Sequence, residues 1–290
     1  FWTPSTDVHP SMIEESAINN ADVAWLLTSS CLVLLMTPGL SFFYGGMVGK
    51  KNVISTMLQS FICLGVVSLI WVTVGFSLAF GTSMGFTIGE TYYGIIGNPF
   101  EFAFFDHVGA RPHAKLASTV PFILFALFQM KFAVITPAII TGSFAERVRF
   151  IAYLLFVCLF TLFIYTPLCH MVWHPDGMLG KVFGVKDFAG GTVVRMSAGF
   201  AALAGVLALG KRTNSEHIPT NIPFVLLGTG MLWFGWFGFN AGSALAADGN
   251  AGMAMLVTHI SAATASLSWA TVEWIKFGKP SVLGIVTGMV

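Results

Sequence analysis

The sequence predicts an all-α, polytopic membrane helix bundle, and three observations carry that prediction. First, the 290 residues are 56% hydrophobic and only 9% charged, with a mean hydropathy of +0.80. A soluble domain carries about 25% charged residues, so lipid is the solvent for most of this surface. Second, the apolar residues gather into runs of about 20 or more, the length that spans the hydrocarbon as a helix. Third, the basic residues sit at the ends of alternate runs, as the positive-inside rule requires of a chain that crosses a bilayer repeatedly.

Taken in order, complete spans are expected at about 23–48, 53–80, 119–142, 150–173, 189–209, 222–245 and 252–275, and an eighth begins near Ser281 and reaches Val290. Glycines and prolines interrupt several of them, which membrane helices tolerate better than soluble ones. Residues 1–22 then form an extracellular segment and residues 23–290 a transmembrane domain. The chain opens on Phe1 rather than methionine, the mark of a removed signal peptide or of a cut chain.

Lys50 and Lys51 follow the first span, Arg147 and Arg149 the third, Lys211 and Arg212 the fifth, and Lys276 and Lys279 the seventh. These loops hold eight of the fourteen Lys and Arg, and the opposite loops hold four: Arg111, Lys115, Lys181 and Lys186. The excess puts the first group in the cytoplasm and the N-terminus outside, in a multi-pass protein of the cell membrane. Asp7, Glu14, Glu15, Asp22, Glu90, Glu101, Asp106, Asp176 and Asp248 then lie outside. Such an acidic face favours a cation, or is an ordinary set of solvated loops.

Several function classes fall away. Net charge is +1, which leaves no basic field for nucleic acid. Cys31, Cys63, Cys158 and Cys169 all fall in apolar stretches, so they read as small packing residues and not as a disulfide framework. The inner loops show no metal-ligand cluster, nucleophile motif or phosphate loop, so neither a cofactor nor an enzymatic activity is expected of this chain. Two basic residues remain inside spans, Lys131 in the third and Arg195 in the fifth. Ionisable residues at membrane depth are rare and usually functional.

The segments PGLSFFYGGMVGKKNV (38–53), GSFAERVRF (142–150), HMVWHPDG (170–177), DFAGGTVV (187–194), GWFGFNAGS (235–243) and GKPSVLG (278–284) resemble the ammonium transporters of the Amt/Mep/Rh family. The resemblance runs from about residue 21 to the end. It implies an outside N-terminus, eleven helices built as an inverted pair of five-helix repeats, and a homotrimer with one narrow pore per subunit. This sequence reaches into the eighth helix. The segment that would bring the second of the family's two pore histidines lies beyond it.

Ammonium and methylammonium are small cations with several N–H donors. A selective site should offer aromatic faces and one or two acceptors rather than a carboxylate that would hold any cation. Phe128, Phe132, Trp173 and Ser243 have these characters. Phe128 and Phe132 are four apart, on one face of the third helix. In a chain with 28 phenylalanines that spacing is also ordinary core packing. The resemblance assigns Phe132, Trp173 and Ser243 to the outer ammonium site. It puts Phe128 at the rim and has Phe132 and Phe239 close the pore as stacked rings. Each aromatic face supplies roughly 0.5–2 kcal/mol of cation–π attraction.

Asp187 precedes the helical run FAGGTVV and reads as its N-cap; the resemblance puts an aspartate here, near the outer site, in an indirect electrostatic role. Gly190, Gly191, Ala198, Gly199, Ala201, Ala202 and Gly205 make the fifth span thin, which lets membrane helices approach closely. His259 in the seventh span reads as a packing residue or a pore residue, and His170 as support for the turn near Trp173.

Arg195 stands where the family's fifth-helix motif ends in histidine. That histidine pairs with the second one to relay a proton or guide the deprotonated ligand. Arginine has donors only and keeps its proton at ordinary pH, so it cannot do this. An ammonium ion about 5 Å from its guanidinium, at an effective dielectric near 20, would be repelled by roughly 3 kcal/mol. Arg195 therefore reads as a pore-blocking or pore-anchoring residue, and Lys131 as a second departure that points into the pore or away from it. Two functions follow. One is an ammonium sensor with little conduction, coupled to a cytoplasmic partner or signalling domain; the other is a conducting ammonium transporter.

Overall fold

Among the described residues, seven helices are long and apolar enough to cross a membrane. They are α1 (Asn20–Met47), α2 (Lys50–Phe80), α3 (Phe122–Phe144), α4 (Phe150–Trp173), α5 (Gly191–Leu209), α6 (Ile222–Ala244) and α7 (Gly249–Phe277). A shorter helix, α8 (Val282–Met289), follows. The computed structural model describes residues 9–212 and 219–290. Asp7, and residues 1–8 of the expected N-terminal segment, lie outside the described residues.

The helix starts are where polar residues meet apolar runs. The Asn19 side chain accepts from the amides of Ala21 and Asp22, Asn221 from Phe224, Asp248 from Ala251 and Ser281 from Gly284. Each satisfies amides that have no partner inside the helix. The bundle closes around α3, whose span is 78% buried, while α7 on the periphery is only 17% buried. α1 crosses α6 at very short range. A Cβ on Gly228 would lie 2.4 Å from the Phe43 amide nitrogen and 2.6 Å from the Gly39 carbonyl oxygen, so only glycine fits.

Two features were not expected. The link between α2 and α3 contains an antiparallel hairpin, β1 (Ser83–Ile88) and β2 (Thr91–Gly97), turning at Gly89 with φ +60°. Its strands are short and interrupted by glycine, so alternation is weak in the sequence. His170 fastens its foot: one ring nitrogen is 2.9 Å from the Ala79 carbonyl and the other 2.9 Å from the Ser83 hydroxyl. The second feature is a set of π-helical turns, at Trp71–Gly75 in α2, Thr161–Tyr165 in α4, Gly191–Met196 in α5 and Phe237–Ala241 in α6. Such turns mark functional positions, and here two of them carry Arg195 and Phe239.

At the opposite end from the hairpin, Glu146 accepts from the Gly49 amide (2.8 Å), the Asn52 side chain (3.1 Å) and Arg212 (3.3 Å). Arg147 donates to the Gly210 carbonyl at 2.9 Å. The loops α1–α2, α3–α4 and α5–α6 are thereby joined on this basic face.

Candidate functional site

The site is built around the start of α5. Gly190 has φ +87°, a left-handed conformation that favours glycine, and it turns the chain into the helix. The Asp187 carboxylate then reaches four free amides: Gly190 (2.6 Å), Gly191 (2.8 Å), Thr192 (2.8 Å) and Val193 (2.9 Å). Asp187 caps through its side chain, but the residue at the cap position itself is Gly190. The backbone carbonyl of the same aspartate accepts the Trp173 indole N–H at 2.9 Å. One residue thus fixes both the α5 terminus and the ring that ends α4.

Trp173, Phe132 and Ser243 come together around a cavity of about 270 Å³, with Phe80, Phe125, Gln129, Asp187, Phe188 and Leu245. Phe132 meets Trp173 edge-on, with ring centres 5.9 Å apart and planes at 83°. Ser243 donates its hydroxyl proton to the Phe239 carbonyl at 2.8 Å. That bond uses the donor and leaves the oxygen's lone pairs for a donor from outside. Gln129 was overlooked in the sequence, though its position three residues before Phe132 puts both on one helix face.

The Phe132 and Phe239 rings stack, with centres 4.1 Å apart and planes at 28°. Phe132 lines the cavity just described, and Phe239 lines a second one of similar volume, with Met36, Leu40, Ile135, Leu232, Trp236 and Arg195. The stacked pair therefore stands between the two. Phe128 is placed differently from the rim expected of it. Its ring is fully buried and packs edge-on behind Phe132 at 4.9 Å.

Arg195 reaches into the second cavity from the π-helical turn of α5. Its guanidinium carbon lies 4.7 Å from the Trp236 ring centre and 5.9 Å from that of Phe239. Cation–π contact holds the charge against the aromatic wall. No ion pair to Arg195 is present among the described residues. Lys131 lines neither cavity and lies within electrostatic range of Cys31 on α1. His259 stacks on Trp233 at 5.3 Å between α6 and α7, and so packs helices together. Just past α4, burial, reinforced by neighbouring His170, pushes the His174 pKa down to about 3. His174 is neutral at ordinary pH and adds no positive charge beside Trp173.

Seven apolar helices, with a stacked aromatic pair between two cavities and a guanidinium lining the second, define a polytopic membrane protein. The family model described as Ammonium Transporter Family matches residues 24–290. The chain belongs to the ammonium transporter family. An ammonium transporter of Aquifex aeolicus is 44% identical over 277 residues, which cover 95% of this chain and 62% of that protein. The crystal structure of Candida albicans Mep2 superposes with a TM-score of 0.84 at 31% identity, covering 96% of this chain and 60% of that one. A structure named Sensor Amt Protein superposes with a TM-score of 0.81 at 31% identity, covering 95% of this chain and 69% of that one. The chain thus spans about three fifths of the length of the curated relatives it matches.

Proposed function

We propose that this chain selects ammonium or methylammonium at the Phe132–Trp173–Ser243 cavity, and that Arg195 keeps conduction low, so that the protein acts as an ammonium receptor. The carrying observation is the guanidinium 4.7 Å from Trp236, in the cavity immediately beyond the Phe132–Phe239 pair. A permanent positive charge there opposes entry of a second cation. The first cavity supplies aromatic faces, the free lone pairs of Ser243, and the field of Asp187, whose oxygens are occupied by amides. The receptor passes its state to a cytoplasmic partner or signalling domain, and the protein assembles as a homotrimer. The second reading is a conducting ammonium transporter, and the name carried by the Aquifex aeolicus relative favours it.

The binding reading has a direct test. Ser243→Ala should weaken ammonium binding about tenfold or more, by removing an acceptor for a charged donor. Trp173→Leu should weaken it by roughly two- to thirtyfold, through loss of a cation–π face. Both should lower discrimination against potassium. Calorimetry on the full-length protein measures this, and wild-type affinity in both variants would put the site elsewhere.

The orientation proposed is N-terminus outside, with Lys50, Arg147, Lys211 and Lys276 cytoplasmic, supported by eight of the fourteen basic residues on one side. A membrane-impermeant thiol reagent on intact cells should modify a cysteine placed at Gly249 and not one placed at Lys51. The reverse pattern would overturn the orientation.

A further inference from the structure

We infer that Gln129 is the second acceptor of the outer cavity and the residue that makes it select cations carrying at least two N–H groups. The inference rests on the binding reading above and deepens it. Gln129 lines the cavity from α3, is only 9% exposed, and its Oε1 meets no hydrogen-bond donor among the described residues. A buried carbonyl oxygen without a donor is costly and calls for an explanation.

The other polar groups of the cavity narrow that explanation. The Trp173 N–H is committed to the Asp187 carbonyl. Both carboxylate oxygens of Asp187 are committed to the amides of α5. The Ser243 proton is committed to the Phe239 carbonyl, which leaves that oxygen as an acceptor. Among the described side chains that line the cavity, two neutral acceptors therefore remain, Ser243 Oγ on α6 and Gln129 Oε1 on α3. A half-turn about the Cγ–Cδ bond of Gln129 would exchange its Oε1 and Nε2 and turn the oxygen to the cavity that the residue lines.

A tetrahedral ammonium ion can donate to both and turn its remaining N–H groups to the rings of Phe132 and Trp173. Methylammonium keeps both bonds and gives one corner to its methyl group. A trialkylated ammonium has one N–H and leaves one acceptor unmet. Because both acceptors are neutral, the site gains no carboxylate that would hold every small cation equally.

Two variants of the full-length protein test this with ammonium as the probe, once each is shown to fold. Gln129→Met keeps length and removes the acceptor, so the ammonium Kd should rise about tenfold or more. Gln129→Glu keeps an acceptor and adds charge. It should bind ammonium at least as tightly as the wild type and lose preference over potassium. Wild-type affinity in the methionine variant overturns the inference. So does a glutamate variant weakened alongside it, which would mean that Gln129 only shapes the cavity. If the methionine variant does not fold, Gln129→Leu takes its place: an ammonium Kd about tenfold or more above the wild type supports the inference, and wild-type affinity overturns it. Failure of the wild-type protein to bind ammonium would sink the binding reading itself, and this inference with it.

Discussion

Replacing Arg195 by histidine is expected to raise ammonium flux through the full-length protein by about a hundredfold, the effect of removing roughly 3 kcal/mol of charge repulsion. The guanidinium sits 4.7 Å from Trp236 and borders the cavity that begins at Phe239. A solute that passes the Phe132–Phe239 pair meets this charge next. Histidine is mostly neutral at pH 7 and can both donate and accept. Flux into reconstituted vesicles measures the change, while binding at the Trp173 cavity should be little altered, since that cavity lies on the other side of the stacked rings. Flux of the unmodified protein equal to or above that of the variant would show that the arginine stays against its aromatic wall and leaves the route open. The transporter reading would then replace the receptor reading.

Asp187→Ala should produce the second large effect, a loss of both stability and ligand affinity. Its carboxylate satisfies four amides at the start of α5. Hydrogen bonds to a charged group are worth about 1.5–3 kcal/mol each, though four that share one carboxylate do not add fully. A loss of several kcal/mol is expected, seen as a lower unfolding temperature in detergent. Ammonium affinity should fall about tenfold or more, because the negative charge beside the cavity goes with the side chain, and the turn whose backbone carbonyl holds the Trp173 N–H loses its carboxylate tie to α5. Asp187→Asn keeps one acceptor oxygen and should recover part of the stability but little of the affinity. Equal affinity in all three proteins would mean that Asp187 supports the helix alone.

Much of the fold was legible because lipid imposes a simple rule: each span must be long, apolar and helical. The expected spans at 150–173 and 222–245 meet α4 (Phe150–Trp173) and α6 (Ile222–Ala244) almost residue for residue. The hairpin was not legible, since Ser83–Gly97 lies outside the spans and owes its shape to His170 and the end of α4. Phe132 and Trp173 were picked out by type and motif. Gln129 was passed over because one amide in an apolar helix gives no periodic signal.

By itself the sequence determined the class of protein, the place of the membrane spans, and the presence of a basic residue, Arg195, inside one of them. These follow from composition and from local hydrophobic length, which act residue by residue along the chain. Tertiary structure alone decided that the Ser243 proton is spent on Phe239, that Asp187 holds both α5 and Trp173, that Phe128 backs Phe132, and that Arg195 lies against Trp236. Each of these is a contact between residues remote in the chain or a choice among rotamers, and packing of α3 against its neighbours selects them.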